Sequence, residues 1–107
     1  MSGAVRWIDV CADGELGEEE VIGVEHDRAL YAVYRTPSGL YATDGLCTHE
    51  FALLADGLVM GDIIECPLHQ GRFHIPTGEA KSPPVCENLK TYSVRVENGR
   101  IQLGLPA

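Results

Sequence analysis

The chain is short of positive charge, of long apolar runs and of helical periodicity. Eight lysines and arginines stand against sixteen aspartates and glutamates, a formal charge of −8. That balance argues against nucleic acid or an anionic membrane surface as a partner. No apolar run approaches the ~20 residues of a membrane-spanning helix. The opening Met1-Ser2-Gly3-Ala4-Val5-Arg6-Trp7 lacks the apolar core of a signal peptide, so the expected compartment is the cytoplasm. Linkers, repeats and low-complexity tracts are missing too. So are paired carboxylates, a nucleophile–base set and a phosphate-binding loop, and nothing in the chain is suited to transforming an organic substrate.

What is present suits one small β domain. The chain has 107 residues, 45% of them hydrophobic, enough for a modest core of the kind that often leans on a metal or cofactor. Strands are expected around Trp7–Val10, Val21–Glu25, Leu30–Arg35 and Leu40–Thr43, with turns at His26-Asp27 and at Thr36-Pro37-Ser38-Gly39. Near the C-terminus Tyr92, Val94 and Val96 alternate with Ser93, Arg95 and Glu97. Asn98-Gly99 then predicts a two-residue hairpin turn, because both positions tolerate positive φ. A short helical turn is expected near Phe51–Ala55, and the acidic stretch Asp13–Glu20 reads as a solvated loop. The expected fold is all-β: an antiparallel sandwich or barrel whose base carries an inserted subdomain at about residues 45–78.

Two cysteine–histidine pairs carry the chemistry. Cys47-Thr48-His49 and Cys66-Pro67-Leu68-His69 are separated by sixteen residues. Each pair sets a thiolate and an imidazole on one short loop, and together they supply the two sulfur and two nitrogen ligands of a mixed-ligand [2Fe–2S] centre. Zinc also accepts two Cys and two His, but zinc fingers usually put both cysteines on one loop and both histidines on another. Replacing two thiolates by neutral imidazoles removes two negative charges, so the reduction potential rises above that of all-cysteine clusters. Reduction in turn raises the proton affinity of the imidazoles, which predicts a potential that falls with pH in alkaline solution.

The neighbours fit a cluster loop. Pro67 stiffens the second turn, Gly71 permits close backbone approach, and Gly45 and Gly78 bracket the segment. Leu46, Phe51, Leu53, Leu54, Leu68 and Phe73 are candidates to shield the inner iron from water. Cys11 and Cys86 read as buried thiols outside the ligand set, His26 as a surface residue, and His74 as structural or surface. Trp7, Tyr31, Tyr34 and Tyr41 read as scaffold core, while Arg72 is suited either to a local pair or to a partner.

The paired motif, with Gly71-Arg72-Phe73, Thr77-Gly78-Glu79-Ala80, Pro83-Pro84 and Leu89-Lys90-Thr91-Tyr92, resembles the small Rieske-type ferredoxins of bacterial multicomponent oxygenases over almost the whole chain. The resemblance implies a Rieske fold of three stacked antiparallel sheets with the cluster at one tip. It implies that Cys47 and Cys66 ligate the buried iron and His49 and His69 the exposed one. It also implies transient partners: an NAD(P)H-dependent ferredoxin reductase that supplies electrons, and a terminal oxygenase of aromatic catabolism that receives them. The alternative within the family is the small Rieske subunit of an assimilatory nitrite reductase. Rieske proteins of respiratory and photosynthetic complexes carry an extra cysteine in each loop and hydroxyl donors beside the cluster. Ala52 and Leu68 stand at the former positions here, and Gly71 and Phe73 at the latter. A potential at the low end of the range, around −150 mV, follows from that resemblance.

Overall fold

The computed structural model describes residues 4–48, 52–68, 70–82 and 87–107. Six strands form one sheet: β1 (Val5–Ala12), β2 (Glu20–His26), β3 (Ala29–Thr36), β4 (Gly39–Asp44), β9 (Thr91–Glu97) and β10 (Arg100–Pro106). Their order is β1-β10-β9-β4-β3-β2, antiparallel throughout. Four short strands, β5 (Leu58–Met60), β6 (Ile63–Glu65), β7 (Arg72–His74) and β8 (Ala80–Ser82), form a second antiparallel sheet in chain order.

The larger sheet is two three-stranded halves whose strand pairing is a short seam, where Ala42 and Thr43 of β4 meet Tyr92 and Thr91 of β9 and the Asp44 N–H donates to the Lys90 carbonyl at 3.0 Å. So narrow a seam lets the halves fold toward each other. Between them lies a core of Cys11, Leu16, Val33, Ala42, Ile101, Leu103 and Leu105. A second core lies between the β2-β3-β4 half and the four-stranded sheet. It contains Ala32, Tyr34, Leu54, Val59, Ile64, Phe73, Ile75 and Leu89, together with Cys47 and Cys66. The resulting order of sheet, core, sheet, core, sheet is the three-layer arrangement expected, with two of the layers continuous through β4 and β9. Strand β3 sits in the middle. Its period-2 alternation sends Val33 to one core and Ala32 and Tyr34 to the other.

Turn chemistry fixes the registers. Asn98 and Gly99 have φ of 52° and 74°, the expected hairpin. The β2–β3 hairpin turns one residue later than expected, at Asp27 and Arg28, with φ of 51° and 69°. His26 therefore pairs with Ala29 as the last residue of β2 and is half-buried rather than a surface turn residue. The short helical turn is a 3-10 turn at Leu54–Asp56, later than expected. Phe51 lies outside the described residues.

Two expectations fail for reasons of packing. The Asp13–Glu20 segment is a built loop, not a merely solvated one. Glu15 accepts the Ala12 N–H at 2.9 Å, Glu20 accepts the Gly17 N–H at 2.6 Å, and Leu16 is buried. Arg35 ties the loop down by donating to the Leu16 carbonyl at 2.7 Å and pairing with Asp13. Trp7 is not scaffold core. It pairs with Gly104, its ring lies where a Cβ of residue 104 would be, and the Arg95 guanidinium stacks 4.1 Å from its centroid. Tyr34 is fully buried, while Tyr31 and Tyr41 pack at the edges of the two cores.

Candidate metal centre

Both cysteines occupy the same place in two similar loops. The isolated bridge Leu46↔Leu53 precedes a loop closed by the Cys47 N–H donating to the Ala52 carbonyl at 2.8 Å. The pair Glu65↔Arg72 precedes a loop closed by the Cys66 N–H donating to the Gly71 carbonyl at 2.7 Å. Each cysteine is thus the first residue inside the end of an antiparallel pair, bonded to the residue five positions on. Gln70, with φ of 59°, turns the second loop back toward Gly71.

Both side chains are 1% exposed and belong to one apolar cluster. An uncompensated thiolate in such surroundings is costly, and a bound metal removes that cost by neutralising it. Two buried sulfur donors on matched loops therefore fit the inner half of an iron–sulfur centre. His49 and His69 lie outside the described residues, as does Cys86.

The shielding residues are only partly those expected. Leu54 and Phe73 are fully buried beside the cysteines. Leu53 and Leu68 instead point outward, 43% and 45% exposed. Val59, Ile64, Ile75, Leu89 and Tyr34 complete the apolar wall. The alternation around Val59 and Ile64 was the available signal for two of these, but strands of three residues are too short to stand out in a sequence. Leu89 reaches the site from a strap after the second sheet. Its N–H donates to the Gly78 carbonyl at 2.8 Å, and Thr48 of the first loop donates to the Glu87 carbonyl at 2.9 Å.

Gly45 is a site of close approach rather than a turn. A Cβ there would lie 2.8 Å from the backbone of Leu30 and Tyr31. Gly78 does both jobs, with φ of 76° and a Cβ position 2.2 Å from the Leu89 carbonyl oxygen. Arg72 pairs locally with Glu65 at 3.4 Å, and His74 Nδ1 lies 2.9 Å from the Thr77 hydroxyl, a structural role.

No hydroxyl at positions 71 or 73 faces the cysteines. Tyr34, the fully buried tyrosine of their apolar cluster, lies 2.8 Å from Thr43 Oγ1, which itself donates to the Asp44 carbonyl at 2.7 Å. Thr43 has spent its only proton, so the Tyr34 hydroxyl is the donor in that pair. Burial pushes the Tyr34 phenol well above its ordinary range. Burial likewise raises the Cys11 thiol, which sits in the other core as expected.

The Rieske [2Fe–2S] domain family model matches residues 6–93. The chain belongs to the Rieske [2Fe–2S] family. Its cofactor is a single Rieske-type [2Fe–2S] cluster, and the zinc alternative falls. The ferredoxin component of the naphthalene 1,2-dioxygenase system of Pseudomonas putida is 46% identical over 101 residues, covering 94% of this Rieske chain and 97% of that protein. A solved complex of reduced oxygenase and oxidized ferredoxin in carbazole 1,9a-dioxygenase contains a chain 37% identical, with a TM-score of 0.87 and 91% coverage of both chains. A Mycobacterium tuberculosis chain assigned as the small subunit of an NADH-dependent nitrite reductase superposes with a TM-score of 0.84 over 98% of this chain and 99% of that one. At 24% identity it shows the shared fold alone.

Proposed function

We propose that this Rieske protein is a soluble cytoplasmic ferredoxin. In this reading it carries single electrons from an NAD(P)H-dependent ferredoxin reductase to a terminal ring-hydroxylating oxygenase, and it is not itself a catalyst. The observation that carries the reading is near-full-length similarity, at 46% identity, to a dioxygenase ferredoxin component. That similarity favours the oxygenase assignment over the nitrite reductase one. Residues 1–107 act as one domain, with the cluster-binding subdomain starting near Gly45 and its sheet running to Ser82.

Cys47 and Cys66 would hold one iron from inside the apolar cluster, and His49 and His69 the other. The bound cluster supplies a one-electron couple, raised by its imidazole ligands above that of all-thiolate clusters. The chain's own contribution is to keep water from the sulfur side, through Phe73, Ile64, Ile75 and Leu54, all fully buried. With Gly71 and Phe73 offering no hydroxyl, nothing from those positions favours the more negative reduced state, in keeping with a potential at the low end of the family range.

Reconstitution tests the reading. Purified protein mixed with a ferredoxin reductase and a ring-hydroxylating oxygenase from the same source should restore NADH-driven substrate oxidation. Loss of that turnover with an intact cluster would remove the oxygenase assignment. Retention of the protein in a permanent complex with a large nitrite-reducing subunit would replace it.

A further inference from the structure

Resting on the electron-carrier reading above, we propose that the protein has a docking face on its flank, along β5, for a one-electron partner whose apolar contact is rimmed by lysine or arginine. The centre of this face is Leu58. It is 57% exposed, the largest exposure among the described large apolar residues, and Met60 on the same strand is 36% exposed. Strand β5 is an edge strand of the four-stranded sheet. Its alternation puts Val59 inside and leaves Leu58 and Met60 on the outer face, where no other layer covers them among the described residues.

Leu58 forms the ridge between two open grooves. One, of about 380 Å³, is lined by Glu15, Glu19 and Glu20. The other, of about 370 Å³, is lined by Asp56 and Glu65 and ends at Cys66, Pro67 and Gln70. Neither groove has a lysine or arginine among its lining residues. Several of the carboxylates are fixed by backbone donors. Glu19 accepts the Gly61 N–H at 2.7 Å, in addition to the loop bonds of Glu15 and Glu20. Charges already held in place lose little freedom when a partner arrives.

Charge selects the occupant. Glu65 is shared with Arg72, but a second copy of this chain, or a nucleic acid, would still bring negative charge to Glu15, Glu19, Glu20 and Asp56 around a leucine. A protein surface with a cationic rim and an apolar centre satisfies both features. The groove beside Leu58 is lined by Cys66 itself, so a partner seated there lies against the Cys66 loop.

The test uses the cluster-loaded protein with ferricytochrome c, a lysine-rimmed one-electron acceptor. One electron leaves the reduced protein, one ferric haem becomes ferrous, and no proton need move. In the oxidised mixture, where no transfer occurs, a carbodiimide joins touching carboxylates to lysines. Cross-links are expected at Glu19, Glu20 and Asp56. Cross-links confined to Glu25 and Glu97, or to Glu87, would overturn the proposal. In the transfer reaction at low salt, Asp56→Asn with Glu20→Gln should slow the second-order rate about three- to tenfold and flatten its salt dependence. Glu25→Gln with Glu97→Gln makes the same change in net charge and should leave the rate nearly unchanged. Equal slowing by both double variants would mean that net charge alone steers the encounter, and would overturn the face. Absence of a reversible one-electron couple in the loaded protein would instead sink the carrier reading, a separate result.

Discussion

The two cores of this protein are built on different terms. The base, around Val33, Ile101 and Leu103, lies between strands of six to eight residues closed by tight hairpins. The cluster lobe has strands of three residues each, and two cysteines belong to its core. Isolated strands so short have few ladder bonds to oppose chain entropy. The base can hold itself together through local pairing and apolar burial. The lobe borrows one wall from β3 and, in the reading above, a second support from metal–ligand bonds.

Removing the metal should separate the two regions most widely. Cys66→Ser, or chelation of the cluster, is expected to abolish visible absorption and to collapse amide protection across residues 58–82, while β1, β9 and β10 keep theirs. Hydrogen exchange read by mass spectrometry checks this. Uniform loss of protection in both regions would show that the base depends on the cluster as well.

Core truncation should come next. Phe73→Ala and Leu103→Ala each empty a fully buried site and should cost about 2–5 kcal/mol. The difference between them is the informative part. Phe73→Ala should shed iron at temperatures where the base is still folded, whereas Leu103→Ala should lose iron and far-ultraviolet dichroism together. Parallel melts followed at 222 nm and in the visible band resolve the two cases.

Two glycines give a smaller contrast. Gly78→Ala must fit a Cβ 2.2 Å from the Leu89 carbonyl oxygen at φ of 76°, so the strap that carries Leu89 has to move. Gly99→Ala, at φ of 74° with open space around it, meets only the backbone penalty of about 1 kcal/mol. Denaturant midpoints should rank Gly78→Ala as clearly the more damaging, with loss of cluster accompanying it alone.

The smallest effect concerns alkaline stability. The Tyr34 phenol ionises near pH 10 in the unfolded chain and well above that when buried. The folded state therefore holds its proton more tightly. The associated stability is intact below about pH 10 and declines as the unfolded state begins to lose protons. Tyr34→Phe forfeits the bond to Thr43, about 1 kcal/mol at neutral pH. It should also make unfolding free energy less steep between pH 10 and the onset of base denaturation. Urea titrations at several alkaline pH values measure the slope, and an unchanged slope would assign the alkaline loss to other groups.

Much of the base was legible because its signals are local. Asn98-Gly99 marks its own turn, and the alternation along β9 marks Tyr92 and Val94 as the half-buried face, although Val96 at its end is 44% exposed. The Asp27-Arg28 turn was read one residue early because neither residue announces positive φ as glycine does. Trp7 was misplaced because hydrophobicity carries no information about which side of a sheet is covered. In the lobe the cysteine motif was plain, while the strands were too short for a period to register. Composition alone points Leu53 and Leu68 to shielding, yet loop geometry turns them outward.

The sequence by itself determined the family, because cluster chemistry restricts which residues stand at a few neighbouring positions, and the two Cys-His pairs at their spacing carry that restriction. The tertiary structure alone decided which residues enclose the cysteines. Val59, Ile64, Ile75, Leu89 and Tyr34 come from separate stretches of chain and share no local pattern. Their convergence follows from the fold of one sheet over another, a non-local outcome that no window of sequence contains.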